Sequence, residues 1–146
     1  MASKKHKEYI QKLMQIGNKL GYITSPRFSK DPQGDVIWFS IVNEKVYSGK
    51  KLPIIAFEVL CSETPKSIKG SIATLQHISP SLGILVVIDE EYAKKAKYYK
   101  GYDFLHYIKR KCREYTKGVK LTSRIEVWDQ KKVDKLFEKQ LANTTR

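Results

Sequence analysis

Apolar residues recur at Ile10, Leu13, Met14, Gly17 and Leu20, three or four positions apart, which predicts a helix over 7–20 with one buried stripe. Gly21 ends it. Tyr22–Ser25 reads as a short strand, and Pro26–Gly34, polar and rich in turn formers, as a loop. From Asp35 to Val42 the chain is β-branched and aromatic without a helical period, so a central strand is expected. A turn around Ser48–Lys51 leads to a second apolar strand, Pro53–Leu60, which carries Glu58 near its end. Thr64-Pro65 opens a helix with proline at its first position, Ile68, Ile72 and Leu75 form its buried side, and Ser79-Pro80 closes it. Leu82–Ile88 is a third continuous apolar strand, and strand, helix, strand in succession calls for a right-handed crossover and a parallel pair.

The stretch from Tyr92 to Lys120 has a helical pattern broken at Gly101, with Phe104, Leu105, Ile108, Cys112 and Tyr115 on its apolar face. Arg124–Trp128 alternates like a half-buried or edge strand, and Asp129 can cap a last helix that turns Val133, Leu136, Phe137 and Leu141 inward. Asn143–Arg146 reads as a frayed end. The expected fold class is therefore α/β, a mixed sheet flanked by helices. A length of 146 residues suits a single domain over 1–146, with its core at about 7–88 and a basic helical and strand–helix extension over 89–142.

Charge narrows the function. Lys and Arg number 28 against 15 Asp and Glu, and the net charge of +13 draws polyanions to the surface in a salt-dependent way. Nucleic acid is the expected partner, although a lysine-rich surface alone would give the same balance. A membrane partner is not expected, because no stretch joins a strong apolar face to a basic one. Met1–His6 lacks the apolar run of a signal peptide, so a cytoplasmic, reducing location is expected. Cys61 and Cys112 are far apart and have no zinc-spaced partners, so both read as reduced thiols.

Two carboxylates carry the candidate chemistry. Asp35 opens one core strand and Glu58 lies near the end of the next, so antiparallel pairing would bring both to one edge of the sheet. There they could hold a hard divalent cation through oxygen ligands and position water for attack on a phosphodiester. The segments Gly34-Asp35-Val36-Ile37-Trp38 and Ile55-Ala56-Phe57-Glu58-Val59, followed by Lys66-Ser67-Ile68-Lys69-Gly70 and Leu82–Val87, resemble the PD-(D/E)XK nuclease superfamily. That superfamily includes restriction-endonuclease-like and archaeal Holliday-junction-resolvase-like nucleases. The resemblance covers about Lys7 to Ile88. It implies an αβββαβ core, Mg²⁺ or Mn²⁺ as cofactor, and hydrolysis of DNA, with DNA preferred to RNA as partner. It also implies Asp35 and Glu58 as metal ligands and Glu8 as an outer ligand matching the acidic residue that many members carry on the first helix. Members often dimerise so that two sites address two strands, which makes a homodimer the implied assembly.

One position departs from the pattern. The family places a lysine two residues after the second carboxylate, where this chain has Leu60. Some members carry the amine on the following helix, so Lys69, with Lys66 as second choice, becomes the candidate catalytic cation beside Asp35 and Glu58. Each residue also has an ordinary reading: Asp35 as a turn residue, Glu58 as half of a structural ion pair, Glu8, Lys66 and Lys69 as solvated charges. His6 and His106 have no partner at local spacing and read as ordinary side chains, and Gln76 and His77 receive no role.

Lys94, Lys95, Lys97, Lys100, Lys109, Arg110, Lys111 and Arg113 form a candidate nucleic-acid surface, interleaved with tyrosines that could stack on bases or pack the core. The first expectation is a metal-dependent endonuclease. The alternatives are a non-catalytic nucleic-acid-binding module on the same fold, which Leu60 favours, and an interaction or assembly protein whose charge is incidental.

Overall fold

The computed structural model describes residues 4–26, 35–41, 51–61, 65–93, 104–118 and 120–142. The expected loop over 27–34, the turn over 48–50, the break at Gly101 and the end at 143–146 lie outside the described residues. In chain order the elements are α1 (Lys4–Lys19), β1 (Ile23–Ser25), β2 (Val36–Ile41), β3 (Lys51–Leu60), α2 (Pro65–Ile78), β4 (Leu82–Val87), α3 (Asp89–Ala93), α4 (Phe104–Thr116), β5 (Arg124–Asp129) and α5 (Gln130–Ala142). The five strands form one mixed sheet in the order β1-β2-β3-β4-β5. The pairs β1–β2 and β2–β3 are antiparallel, and β3, β4 and β5 are mutually parallel. Residues beyond Ile88 thus supply a strand of this same sheet.

Helices cover both faces, which is why β3 and β4 read as continuous apolar runs rather than as alternating ones. Ile68, Ile72, Leu75 and Ile78 of α2, with Ile108 and Cys112 of α4, pack on Ile37, Phe39, Ala56, Leu60, Leu85 and Val87. On the other face Tyr9, Leu13 and Ile16 of α1 and Val133 of α5 pack on Val36, Trp38, Phe57, Val59, Ile84 and Val86. Pro53 is tolerated inside β3 for two reasons. The β2–β3 register shifts between Trp38 and Phe39, and β4 first pairs at Ile55, so no ladder bond is asked of the missing N–H.

The stripe of α1 differs from the expected one. Tyr9, Leu13, Ile16 and Gly17 are buried, Ile10 and Met14 are half-buried, and Leu20 lies past the last turn and is 49% exposed. Gly21 (φ 92°) ends the helix with paired bonds, Tyr22 N–H to Gly17 O at 2.9 Å and Gly21 N–H to Asn18 O at 3.2 Å. Gly17 is where α1 crosses the sheet most closely. A methyl group there would lie 2.5 Å from Trp38 Nε1 and 2.6 Å from Thr24 Cγ2. Trp38 cannot yield freely, since its indole N–H donates to Leu13 O at 3.0 Å. Gly17→Ala is therefore expected to destabilise the fold by about 1–3 kcal/mol, read as a lower urea midpoint at unchanged slope.

Polar side chains tie the layers together. The Tyr9 hydroxyl donates to both Asp134 oxygens at 2.9 Å, and Lys12 Nζ reaches the same carboxylate at 2.9 Å, fastening α1 to α5. Burial and that carboxylate push the Tyr9 phenol well above its ordinary value. Gln76, which carried no signal in the sequence, clamps α2 to the approach to β5. Its Oε1 accepts from Thr122 N–H at 2.6 Å and Ser123 N–H at 3.2 Å, while Nε2 donates to Ser123 O at 3.2 Å. Asp129 caps α5 as the sequence suggests, accepting from Lys132 N–H at 2.9 Å.

Candidate functional site

The pairing of β2 with β3 begins with Val36 opposite Phe57, and the Asp35 N–H donates to Phe57 O at 3.1 Å, so Asp35 is held just beyond the last ladder pair. Strand alternation puts Glu58 on the face of Ala56 and Leu60. The Asp35 and Glu58 carboxyls are hydrogen-bonded to each other. Glu58 is only 8% exposed, a degree of burial that a carboxyl inside an apolar strand tolerates only with partners.

Asp35 has three hydrogen-bonding partners. Its Oδ2 accepts from the Val59 N–H at 2.7 Å and lies 3.3 Å from His6 Nε2, and Glu58 completes the set. Burial alone would push the Asp35 carboxyl up. The hydrogen bonds from His6, Glu58 and Val59 outweigh it and hold the group below the ordinary carboxylate value. A lowered folded value means that Asp35 releases its proton more readily when folded. Its contribution is complete above the unfolded value and is lost as pH falls through the folded one. Wild type is accordingly expected to lose melting temperature more steeply than Asp35→Asn below about pH 4, in thermal scans across the acid range.

His6 is the contact that sequence reasoning missed. It stands in the first turn of α1, 29 residues from Asp35, so local spacing held no clue. The signal lay in the helix stripe: continued back one turn from Ile10 and Leu13, it lands on position 6. Beside it Lys5 pairs with Glu90 of α3 at 3.2 Å, and Glu90 accepts from Gln130 Nε2 of α5 at 3.0 Å, which bolts the start of α1 to the end of the parallel strands.

The other expected site residues fall elsewhere or outside view. Glu8 is 41% exposed and engages Lys5 at 3.4 Å and Lys12 at 3.6 Å along α1. Leu60, at the family's lysine position, is 1% exposed and packed in the core against α2. The Lys69 ammonium lies over the Tyr115 ring of α4, 5.4 Å from its centre. The side chain of Lys66 lies outside the described residues, as do Lys94, Lys95, Lys97 and Lys100. Lys109, Arg110 and Arg113 are exposed on α4, whereas Lys111 pairs with Glu114 at 3.3 Å. Tyr107 and Tyr115 pack against the core and carry cations over their rings.

Among the described residues no three His, Cys, Asp or Glu side chains form a metal-ligand set. Two converging carboxyls are nevertheless enough for Mg²⁺, which is commonly held by one or two carboxylates with waters and substrate phosphate filling the rest of its shell. Asp35 and Glu58 fit that description, and their hard oxygen donors favour Mg²⁺ or Mn²⁺ over softer metals. Cys61 and Cys112 are buried and form no disulfide, and burial raises the Cys112 thiol. No helix among the described residues is long and apolar enough to cross a membrane. Comparison of the chain with protein-family models, with curated proteins and with solved structures gives no match.

Proposed function

We propose that the chain is a metal-dependent nuclease that hydrolyses DNA phosphodiesters on a restriction-endonuclease-like core. The observation that carries this reading is the meeting of Asp35 and Glu58 across β2 and β3 in a protein of net charge +13. The element order α1-β1-β2-β3-α2-β4 supports it, being the αβββαβ succession that the resemblance implies. Asp35 and Glu58 would hold Mg²⁺ or Mn²⁺, which when bound lowers the pKa of water and offsets charge on the phosphoryl oxygens. The Val59 amide and His6 both reach the same Asp35 oxygen and orient the carboxylate. With Leu60 in the core, the cation beside the phosphate has to come from another element, and Lys69 at the start of α2 remains the proposed source by turning away from Tyr115.

A non-catalytic nucleic-acid-binding module is the second reading, and the burial of Leu60 where the family carries its amine is what favours it. Incubation with supercoiled plasmid, branched DNA and single-stranded DNA separates the two. Cleavage with Mg²⁺ or Mn²⁺ that chelator abolishes supports the nuclease; salt-sensitive retention of every substrate uncut supports the binding module.

A further inference from the structure

A second charged feature lies on α5, away from the residues that the sequence marks as basic. A groove of about 380 Å³ runs beside this helix, lined by Lys131, Lys132, Lys135 and Lys139 with Leu136 and Asp129. All four lysines are exposed, and among the described residues no ion pair engages them. This separates them from Lys12 and Lys111, whose charges meet Asp134 and Glu114. The groove's one acid, Asp129, is turned to the α5 N-terminus as its cap, and the Lys132 ammonium stands over the Trp128 ring at 4.7 Å. Lys131, Lys135 and Lys139 recur every four residues and span about 12 Å of helix, over which one strand of a duplex presents roughly three to four phosphates.

The groove begins at the end of the sheet that carries the carboxyl pair, on the face opposite Glu58. β3, β4 and β5 are parallel, Leu60 pairs with Val87 and Val87 with Asp129, so α5 starts at the end of the sheet where Glu58 lies. Gln130 bonds to Glu90, Glu90 to Lys5, and Lys5 adjoins His6 on Asp35. We propose that the α5 lysine groove is a track that binds a nucleic-acid backbone. This binding does not rest on the nuclease reading. The groove lies on the α1/α5 face, whereas Lys109, Arg110 and Arg113 belong to α4 on the opposite face, so the two surfaces can be tested apart.

The test compares the full chain with K131Q/K135Q/K139Q and with K109Q/R110Q/R113Q. Glutamine keeps a helix propensity close to that of lysine, and thermal melting checks each fold, with K135Q alone as the milder variant. Fluorescence anisotropy with a labelled DNA duplex and its single strand, in chelator, gives affinity across a salt series. The α5 variant is expected to bind about tenfold or more weakly and to show a slope of log K against log salt shallower by roughly 3, with a smaller change for the α4 variant. Unchanged binding by the α5 variant, a loss confined to the α4 variant, no binding by wild type at low salt, or preference for phosphatidylserine vesicles over DNA would each overturn it. Chelator keeps cleavage out of this measurement, so a DNA-binding wild type that never cuts in Mg²⁺ refutes the nuclease and leaves the groove standing.

Discussion

Glu58→Gln and Glu58→Ala are both expected to lose metal-dependent cleavage by at least about a hundredfold, a barrier increase of about 2.7 kcal/mol or more. The two substitutions divide the cause. Glutamine keeps the volume of the side chain and a hydrogen bond to Asp35 but removes the charge that a cation needs, so its melting temperature should stay near that of wild type while activity falls. Alanine also opens space beside Leu60 and Ala56 in a packed layer, so some loss of stability accompanies the loss of activity. Asp35→Asn should follow the glutamine pattern. Plasmid nicking in Mg²⁺ and in Mn²⁺, beside thermal melts, reads both quantities. Cleavage by Glu58→Gln at the wild-type rate would remove Glu58 from the chemistry and leave it a structural acid.

Phe57→Ala is expected to cost about 3–5 kcal/mol, a large part of the roughly 5–15 kcal/mol that holds a domain folded. Phe57 is fully buried on the face of β3 opposite Glu58, its ring 4.7 Å from that of Trp38 and 5.7 Å from that of Trp128. These contacts join β2, β3 and β5 beneath α1 and α5, and truncation leaves a void that neither indole can close without breaking its hydrogen bond, Trp38 to Leu13 O or Trp128 to Glu126. Phe57→Leu fills most of the space and should cost well under half as much. Leu52→Ala on the same strand serves as contrast: Leu52 is 53% exposed, and its loss should stay within about 0.5 kcal/mol. Urea unfolding followed by tryptophan fluorescence ranks the three.

The sheet was legible because its strands are covered on both sides. The largely apolar runs at 36–41, 54–60 and 82–87 admit no amphipathic helix, and a proline opening the segment after β3 marks where the crossover helix begins. The same patterns expose the carboxyls: Asp35 and Glu58 are the acids that border or interrupt two such runs, and antiparallel pairing brings them together. What the sequence withheld depends on how layers sit on one another. The tilt of α1, set by the close crossing of Gly17 over Trp38, decides that His6 reaches Asp35 while Glu8 turns to Lys5 and Lys12. A one-position rotation of the stripe was enough to hide this. Lys69 was placed on the right helix, yet its direction toward Tyr115 follows from the packing of α2 on α4, which no local pattern encodes. The lysines of α5 escaped notice because they are diluted among Asp134 and Glu138, and only the fold separates the acid that faces Tyr9 from the cations that line the groove.

Crystals grown or soaked with Mn²⁺ test the central claim most directly, through an anomalous difference map at the manganese signal. The account predicts one peak within coordination distance of both the Asp35 and the Glu58 carboxylates, absent from crystals of Glu58→Gln. A map with no peak between these two side chains in a fully loaded crystal, or a peak that persists in Glu58→Gln, contradicts it.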